Sequence, residues 1–387
     1  MMESRISREE AYTLIRTQGR DLLALMQQAT EVRDAYWGRV VTYSRKVFIP
    51  LTNLCRDKCA YCTFARTPND PLAKTLSPEE VLAIARAGEQ AGCKEALFSL
   101  GERPEWAHAA AREQLARLGY ASTVDYLAAM MQLVFEETSL LPHPNPGALY
   151  EAEWRKLRPW AASMGMMVEN VSSRLMEKGQ AHFGCPDKTP ARRLAALEAT
   201  GQLGIPFTTG ILIGIGETPE ERVDSLFAIA EVHRRYGHIQ EVIIQNFRRK
   251  PDIRFRTHDE PSVLEMARTI AVARLILPRE ISLQAPPNLT PDAYTLYLFA
   301  GINDWGGISP VTKDYINPEA PWPAIAELAA ATADAGFELR ERLSVYPRFY
   351  STKWLPHQVM KRVQMLQDQI ADHPVSAAAR MTSTGAG

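Results

Sequence analysis

The stretch Val47–Phe64, VFIPLTNLCRDKCAYCTF, holds three of the chain's five cysteines. A short apolar run ends at Pro50 and gives way to a polar segment. Three residues separate Cys55 from Cys59, two separate Cys59 from Cys62, and aromatic Tyr61 precedes the last. Three soft thiolates on so short a loop can converge on one metal centre, either zinc or iron–sulfur. Structural zinc closes with four protein ligands, and no CxxC or HxxxH partner lies nearby. A cluster held by three cysteines instead leaves one iron open to a substrate or cofactor. A partial zinc knuckle and unligated thiols are the plain alternatives.

The segments around this loop say what carries it. Val47–Ile49 is the first strand candidate, and further apolar runs follow at Glu95–Leu100, Leu140–His143, Met166–Val171, Phe207–Gly214, Glu241–Phe247 and Ile281–Ala285. An eighth strand is expected near Gly301–Trp305. Helical patterns lie between them, near 123–137, 150–163, 190–204, 219–236 and 262–277, and an extra helix near 103–118 follows the second strand. Ser77-Pro78-Glu79-Glu80 starts a helix running to Gly92, with cap, proline and acids in the favoured order. Such alternation implies parallel strands joined by right-handed crossovers, and the count suits a TIM-type (β/α) barrel, complete or nearly so. Residues 7–37 read as one helix opened by a Ser7/Glu10 capping box, which gives the barrel an N-terminal helical extension. A strand and a C-terminal helix are expected within 337–372, and the small, polar residues 371–387 read as a disordered tail. The expected division is an extension over 1–44, a barrel over 45–350 and a C-terminal segment over 351–387.

Barrel enzymes place their chemistry on the loops after strand C-termini. Polar residues collect at those places here: the three cysteines, Gly101-Glu102, His143 with Asn145, and Glu169, Asn170, Ser172 and Ser173. Gly214-Ile215-Gly216-Glu217, Gln245-Asn246, Gln284 to Asn288 and Asn303-Asp304 complete the set. One polar loop would mean little; eight in step mean a site. Arg192-Arg193 opens a helix, where a guanidinium could pair with a carboxylate through two parallel hydrogen bonds. Each residue also has an ordinary reading, as a surface charge or a helix-packing glycine.

Composition removes several classes. Net charge is -1 with acids and bases in balance, which argues against a general nucleic-acid or membrane-surface binder. Cys93 and Cys185 stand apart from the triplet, so a disulfide framework is not expected. The start, MMESRISREE, has no apolar signal core, and no apolar run reaches transmembrane length. A reducing cytoplasm is the expected location.

The same residues resemble the radical S-adenosylmethionine (SAM) superfamily. Cys55-x3-Cys59-x2-Cys62 with Tyr61 matches its cluster motif, Ser99-Leu100-Gly101-Glu102 resembles its GGE-type strand with Leu100 replacing the first glycine, and Gly210–Glu217 resembles its fifth-strand motif. The longer strings FIPLTNLCRDKCAYCTF, MVENVSSRL, TTGILIGIGET and GINDWGGISPVT are similar to the CofG family, the ring-closing subunits of FO synthase; the likeness runs from about residue 45 to 350. Cys185 stands where that family is expected to carry another residue.

The resemblance implies a 4Fe-4S cluster on Cys55, Cys59 and Cys62, with SAM chelating its open iron and yielding a 5'-deoxyadenosyl radical. It implies Glu102 on the SAM amino group, Arg193 on its carboxylate, Glu169 and Ser172 on amino group or ribose, and Gly214 and its neighbours, Glu217 among them, against the adenine. The implied substrate is the adduct of tyrosine's hydroxybenzyl group with a ribitylamino-uracil, closed to a deazaflavin with loss of ammonia. Asn303, Asp304, Gln245, Asn246 and Asn288 are expected to read its uracil and ribityl groups, with Asp304 and Asn303 the catalytic candidates, solely because they sit at strand ends. The implied partners are an external one-electron reductant and the adduct-forming subunit. Two other functions stay in view: the adduct-forming sister enzyme, which takes tyrosine, and a zinc-stabilised binding protein without catalysis.

Overall fold

The computed structural model describes residues 5–250, 253–255 and 259–372; the expected tail from 373 onward lies outside them. Nine strands form one sheet: β1 (Val40–Thr52), β2 (Glu95–Leu100), β3 (Leu141–Asn145), β4 (Met164–Gly165), β5 (Phe207–Ile213), β6 (Ile239–Asn246), β7 (Ser282–Gln284), β8 (Asp304–Ile308) and β9 (Glu338–Arg342). Their order is β3-β2-β1-β8-β7-β6-β5-β4, with β9 added beside β1, and every pairing between them is parallel. No ladder joins β3 to β4, so the barrel is nearly closed rather than sealed.

β1 organises the barrel. It is far longer than the sequence suggested, because its first half is polar and alternating rather than apolar. Lys46–Thr52 pairs with β2, while Val40–Ser44 pairs with β9 on one side and Thr42–Arg45 with β8. β9 thus lies beneath β2 and closes the N-terminal end of the barrel. Successive strand residues face opposite ways. Val47, Ile49 and Leu51 are buried outward, Val47 so tightly that a Cβ on Gly88 of the helix Pro78–Gln90 would sit 2.6 Å from it. Lys46 and Phe48 turn inward to the lumen.

The crossover helices begin where local chemistry says they should. Ser77/Glu80 and Thr218/Glu221 form reciprocal capping boxes with proline in the first turn, satisfying backbone N–H groups that a helix start leaves free. The N-terminal segment departs from expectation. The capping box at Ser7 forms, but the helix stops after Leu14 and resumes at Gly19, whose φ of 58° breaks the continuous run. The extra segment after β2 is likewise two short helices, Pro104–Ala107 and Ala109–Arg117.

β4 is another correction. The expected strand over Met166–Val171 makes regular ladder pairs only at Met164 and Gly165, then a single bridge from Glu169 to Ile211. Glu169 adopts φ 66°, a left-handed conformation uncommon outside glycine. That kink aims the carboxylate across the barrel mouth, toward Tyr61 and Lys188.

Candidate active site

The cysteine loop leaves the C-terminal end of β1 and is fastened to the end of β2. Gly101 donates to the Thr52 carbonyl at 2.8 Å, Arg56 to the Glu102 carbonyl at 3.0 Å, and the Glu102 N–H to the Cys55 sulfur at 3.2 Å. A second N–H, from Ala65, reaches the Cys62 sulfur at 3.4 Å. A Cβ on Gly101 would lie 1.9 Å from the Leu54 carbonyl oxygen, so only glycine lets the two chains approach. Cys55, Cys59 and Cys62 all line one cavity at the barrel mouth.

The donor set distinguishes between metals. Sulfurs on one tetrahedral zinc stand roughly 3.8 Å apart, from a Zn–S bond of about 2.3 Å. Among the described residues, the one group of three ligand atoms gathered within 4.8 Å is Asp57, Glu102 and Asp187; the three loop thiols are spread more widely. Burial pushes the Cys55 and Cys62 thiols up, and a hydrogen bond with Cys185, then burial, pushes Cys59 up. The Cys55 and Cys62 sulfurs accept N–H groups, and Lys188 favours the Cys59 and Cys62 thiolates without outweighing burial. This set fits a multi-atom metal–sulfur group facing the cavity better than it fits a single zinc ion.

Two ion pairs share that cavity. The Glu102 carboxylate meets Arg193 at 2.8 Å and accepts the Ala148 N–H at 2.5 Å. Gly147 leaves the space for it, since a Cβ there would lie 2.3 Å from the carboxylate carbon. Glu169 accepts from Lys188 at 2.5 Å, pairs with His182 at 3.0 Å and takes the Tyr61 hydroxyl as well. Burial opposes the Glu169 charge, but Lys188, His182 and Arg193 outweigh it and hold the carboxyl well below the usual range. Asp57 has the opposite balance: burial, then the Glu102 charge, pushes it up to about 7. Cys185 places its sulfur 3.6 Å from that of Cys59. Carboxylates beside fixed cations, next to thiols, can bind a small zwitterion such as an amino acid.

Below this cavity, and sharing Asn145, Met167, Gln245, Ile316 and Asn317 with it, lies a second one inside the lumen. Its wall comes from inward-facing strand residues: Lys46 on β1, Glu95 on β2, His143 on β3 and Glu241 on β6. Lys46 meets Glu95 at 2.9 Å, and Arg342 of β9 meets Glu241 at 2.7 Å.

The structure therefore brings Cys55, Cys59, Cys62, Glu102, Glu169 and Arg193 to one cavity, together with Gln245 and Asn246. Ser172, Gly214 and Glu217 are not in its wall. Ser172 donates to Glu221 at 2.5 Å. Glu217 accepts the Gly214 and Ile215 N–H groups, each at 2.8 Å, and pairs with Arg222, so it clamps the turn after β5. Gly214 has φ +90°, and a Cβ there would strike Pro261 at 2.5 Å, which accounts for the glycine without a ligand.

Asn303 and Asp304 are misplaced by the sequence reading. Asp304 starts β8 instead of following a strand end, paired with Thr42 near the barrel floor, and both side chains are fully buried. Arg342 grips Asp304 at 2.5 and 2.8 Å, while Asn303 serves Arg274, the Leu283 N–H and Ser282. Asn288 is similarly engaged, by Asp314 and the Ala320 carbonyl. Sequence reasoning also missed Asp57, His182 and Lys188, for which no local signal exists. It missed the inward charges too, although their alternation along apolar strands was visible.

Comparison with known proteins adds the following. The radical SAM superfamily model matches residues 49–229. The chain is 53% identical over 329 residues to a 7,8-didemethyl-8-hydroxy-5-deazariboflavin synthase of Methanopyrus kandleri, covering 85% of this chain and 98% of that one. It is 50% identical over 372 residues to the FO synthase of Streptomyces coelicolor, covering 93% of this chain but 43% of that longer relative, so it spans under half of such proteins. Among solved structures, the FeFe-hydrogenase maturase HydG of Carboxydothermus hydrogenoformans superposes with a TM-score of 0.73 at 19% identity, over 95% of this chain and 81% of that one. Methylornithine synthase gives 0.67 at 22% identity, over 86% and 94%. At such identities the two structures speak for the fold alone.

Proposed function

Because the chain belongs to the 7,8-didemethyl-8-hydroxy-5-deazariboflavin synthase family of the radical SAM superfamily, we propose that it catalyses the ring-closing step of deazaflavin formation. In this reading the substrate is 5-amino-5-(4-hydroxybenzyl)-6-(D-ribitylimino)-5,6-dihydrouracil. The product is 7,8-didemethyl-8-hydroxy-5-deazariboflavin; ammonia leaves, which makes the enzyme a carbon–nitrogen lyase. One observation carries the reading: the loop thiols and both ion pairs surround a cavity that opens onto a second polar chamber large enough to take a separate molecule.

The superfamily uses a 4Fe-4S cluster and SAM. Cys55, Cys59 and Cys62 would hold the cluster, Glu102 and Glu169 would receive the SAM ammonium group, and Arg193 with Lys188 its carboxylate. When bound, these cofactors supply a carbon-centred radical that removes one hydrogen atom from the substrate. The chain itself has to orient the reactants and exclude water. Met167, Leu212 and Phe247 give the upper cavity an apolar side that limits competing hydrogen donors. Gln245, at the junction of the two cavities, is placed to touch both cofactor and substrate.

The remaining partners follow from the chemistry. An external one-electron reductant must feed the cluster, and a separate subunit must deliver the adduct. We infer a cytoplasmic location from the need to keep the thiols reduced; no helix among the described residues is long and apolar enough to cross a membrane. The test is anaerobic reconstitution with iron and sulfide, followed by SAM, reductant and preformed adduct. Mass spectrometry should find 5'-deoxyadenosine together with the fluorescent deazaflavin. Consumption of free tyrosine would assign the chain to the adduct-forming step, and a colourless protein that takes up zinc alone would leave a binding protein.

A further inference from the structure

The floor of a TIM-type barrel is ordinarily packed with branched apolar side chains. Here the inward positions of that layer are Lys46, Glu95, His143, Glu241, Gln284 and Arg342, and they face a cavity. Burying charges is costly unless they are paired and hydrogen-bonded. Both cations of this wall are paired, Lys46 with Glu95 and Arg342 with Glu241 and Asp304. Burial pushes His143 down to about 4, so its imidazole is neutral. No cation is left over for a phosphate or carboxylate.

What the wall does leave over is neutral hydrogen-bonding capacity. Lys46 uses one N–H on Glu95, and His143 binds Ser163 through Nδ1 while Nε2 faces Gly165. Gln284 is only 7% exposed and lines the chamber, and among the described residues its side chain makes no hydrogen bond. Its amide faces the chamber, where a ligand hydroxyl could bond to it. Gly165 and Gly307 keep the space open; a Cβ at Gly165 would lie 2.9 Å from His143 Nε2, and one at Gly307 2.0 Å from Lys46 Cε.

We propose that this lower chamber seats the polyhydroxylated chain of the substrate, with its ring system held above at the junction with the cysteine cavity. The proposal rests on the ring-closing reading and fixes the direction in which the substrate enters. Alternating donors and acceptors on paired charges suit a neutral polyol. Along β1, Lys46 lies six positions before Thr52, roughly 20 Å at about 3.3 Å per residue. The carbinol C–H bonds of the polyol are thereby kept on the side of the shared residues away from the cysteine loop.

Two stable probes test this on the reconstituted enzyme with SAM bound: 5-nitro-6-(D-ribitylamino)uracil and 5-nitro-6-(methylamino)uracil. By equilibrium binding, the ribityl probe should bind at least tenfold tighter, and its terminal phosphate ester at least tenfold more weakly than the free polyol. Gly165→Ala narrows the chamber and Gln284→Leu removes its unpartnered amide. Each should erase most of the ribityl advantage, leaving the methyl probe within twofold and iron content unchanged. Equal binding of both probes, tighter binding of the phosphate ester, or indifference to both variants would overturn the proposal. The two readings fail separately. Deazaflavin formation without the ribityl preference removes the chamber alone, whereas the preference without turnover of the adduct removes the ring-closing role.

Discussion

Replacing Gly101 with alanine asks how firmly the cysteine loop depends on the end of β2. The added methyl would sit 1.9 Å from the Leu54 carbonyl oxygen, 2.6 Å from its carbon and 2.8 Å from Cys55 Cβ. Backbone and a cluster cysteine cannot rotate aside as a flexible side-chain end can. Carbon–oxygen contacts near 3.0 Å are the practical floor, so the loop must retreat by about 1 Å. That retreat breaks the Arg56–Glu102 backbone bond and the Glu102 N–H bond to the Cys55 sulfur. At about 0.5–1.5 kcal/mol each, their loss destabilises the native loop by about 1–3 kcal/mol. A population shift of roughly five- to a hundred-fold follows, since about 1.4 kcal/mol is tenfold. The core strands do not depend on the loop, so far-UV circular dichroism and the denaturation midpoint should stay near wild type. Iron and sulfide per chain after anaerobic reconstitution should fall below about half. Full iron loading, with an unchanged EPR response to SAM, would refute the account of how the loop is held.

Three further outcomes are expected. Arg342→Met strips Asp304 and Glu241 of the cation that pairs with both, and breaking such a buried group should cost about 3–5 kcal/mol in urea denaturation; a loss under 1 kcal/mol would sink the floor network. Lys188→Met removes the lysine partner of Glu169; calorimetry on the reconstituted protein should show SAM binding weakened about tenfold or more, and an unchanged Kd at equal iron content would take this pair out of the cofactor site. Burial pushes His238 down to about 3, so it stays neutral when folded while the unfolded chain protonates below about 6.5. Its contribution to stability is complete above that value and is lost as pH falls toward 3. The stability gap between wild type and His238→Leu should therefore move by about 2 kcal/mol between pH 7 and 5, and a constant gap contradicts the assignment.

How much of this could be read in advance depended on whether the signal was local. The Ser7 and Ser77 caps and the Gly101-Glu102 strand end are short-range patterns, and each formed as read, while the closely spaced cysteines line one cavity. The Glu169 and Arg193 cations and carboxylates met partners far along the chain, as in Arg193 with Glu102, and spacing alone carries no trace of such pairs. Asn303-Asp304 misled because a polar pair before an aromatic looks the same after a strand as at its start. What decided the matter was Arg342, on a strand whose pairing with β1 was not legible. β1 itself was underestimated because Thr42, Ser44 and Lys46 face other polar groups inside the barrel, which suppresses the apolar signature of a strand.

The placement of β9 carries a consequence for biosynthesis. Val40–Ser44 and Glu338–Arg342 are neighbours in space but emerge from the ribosome about 300 residues apart. At about 5–20 residues per second, the thiols of the cysteine loop wait tens of seconds before the strand that completes their barrel exists. Until then the nascent chain offers reduced sulfur above an open floor. Metal delivery to this protein therefore belongs after β9 has emerged, and growth conditions that oxidise nascent thiols should lower its yield even where the finished enzyme would survive them.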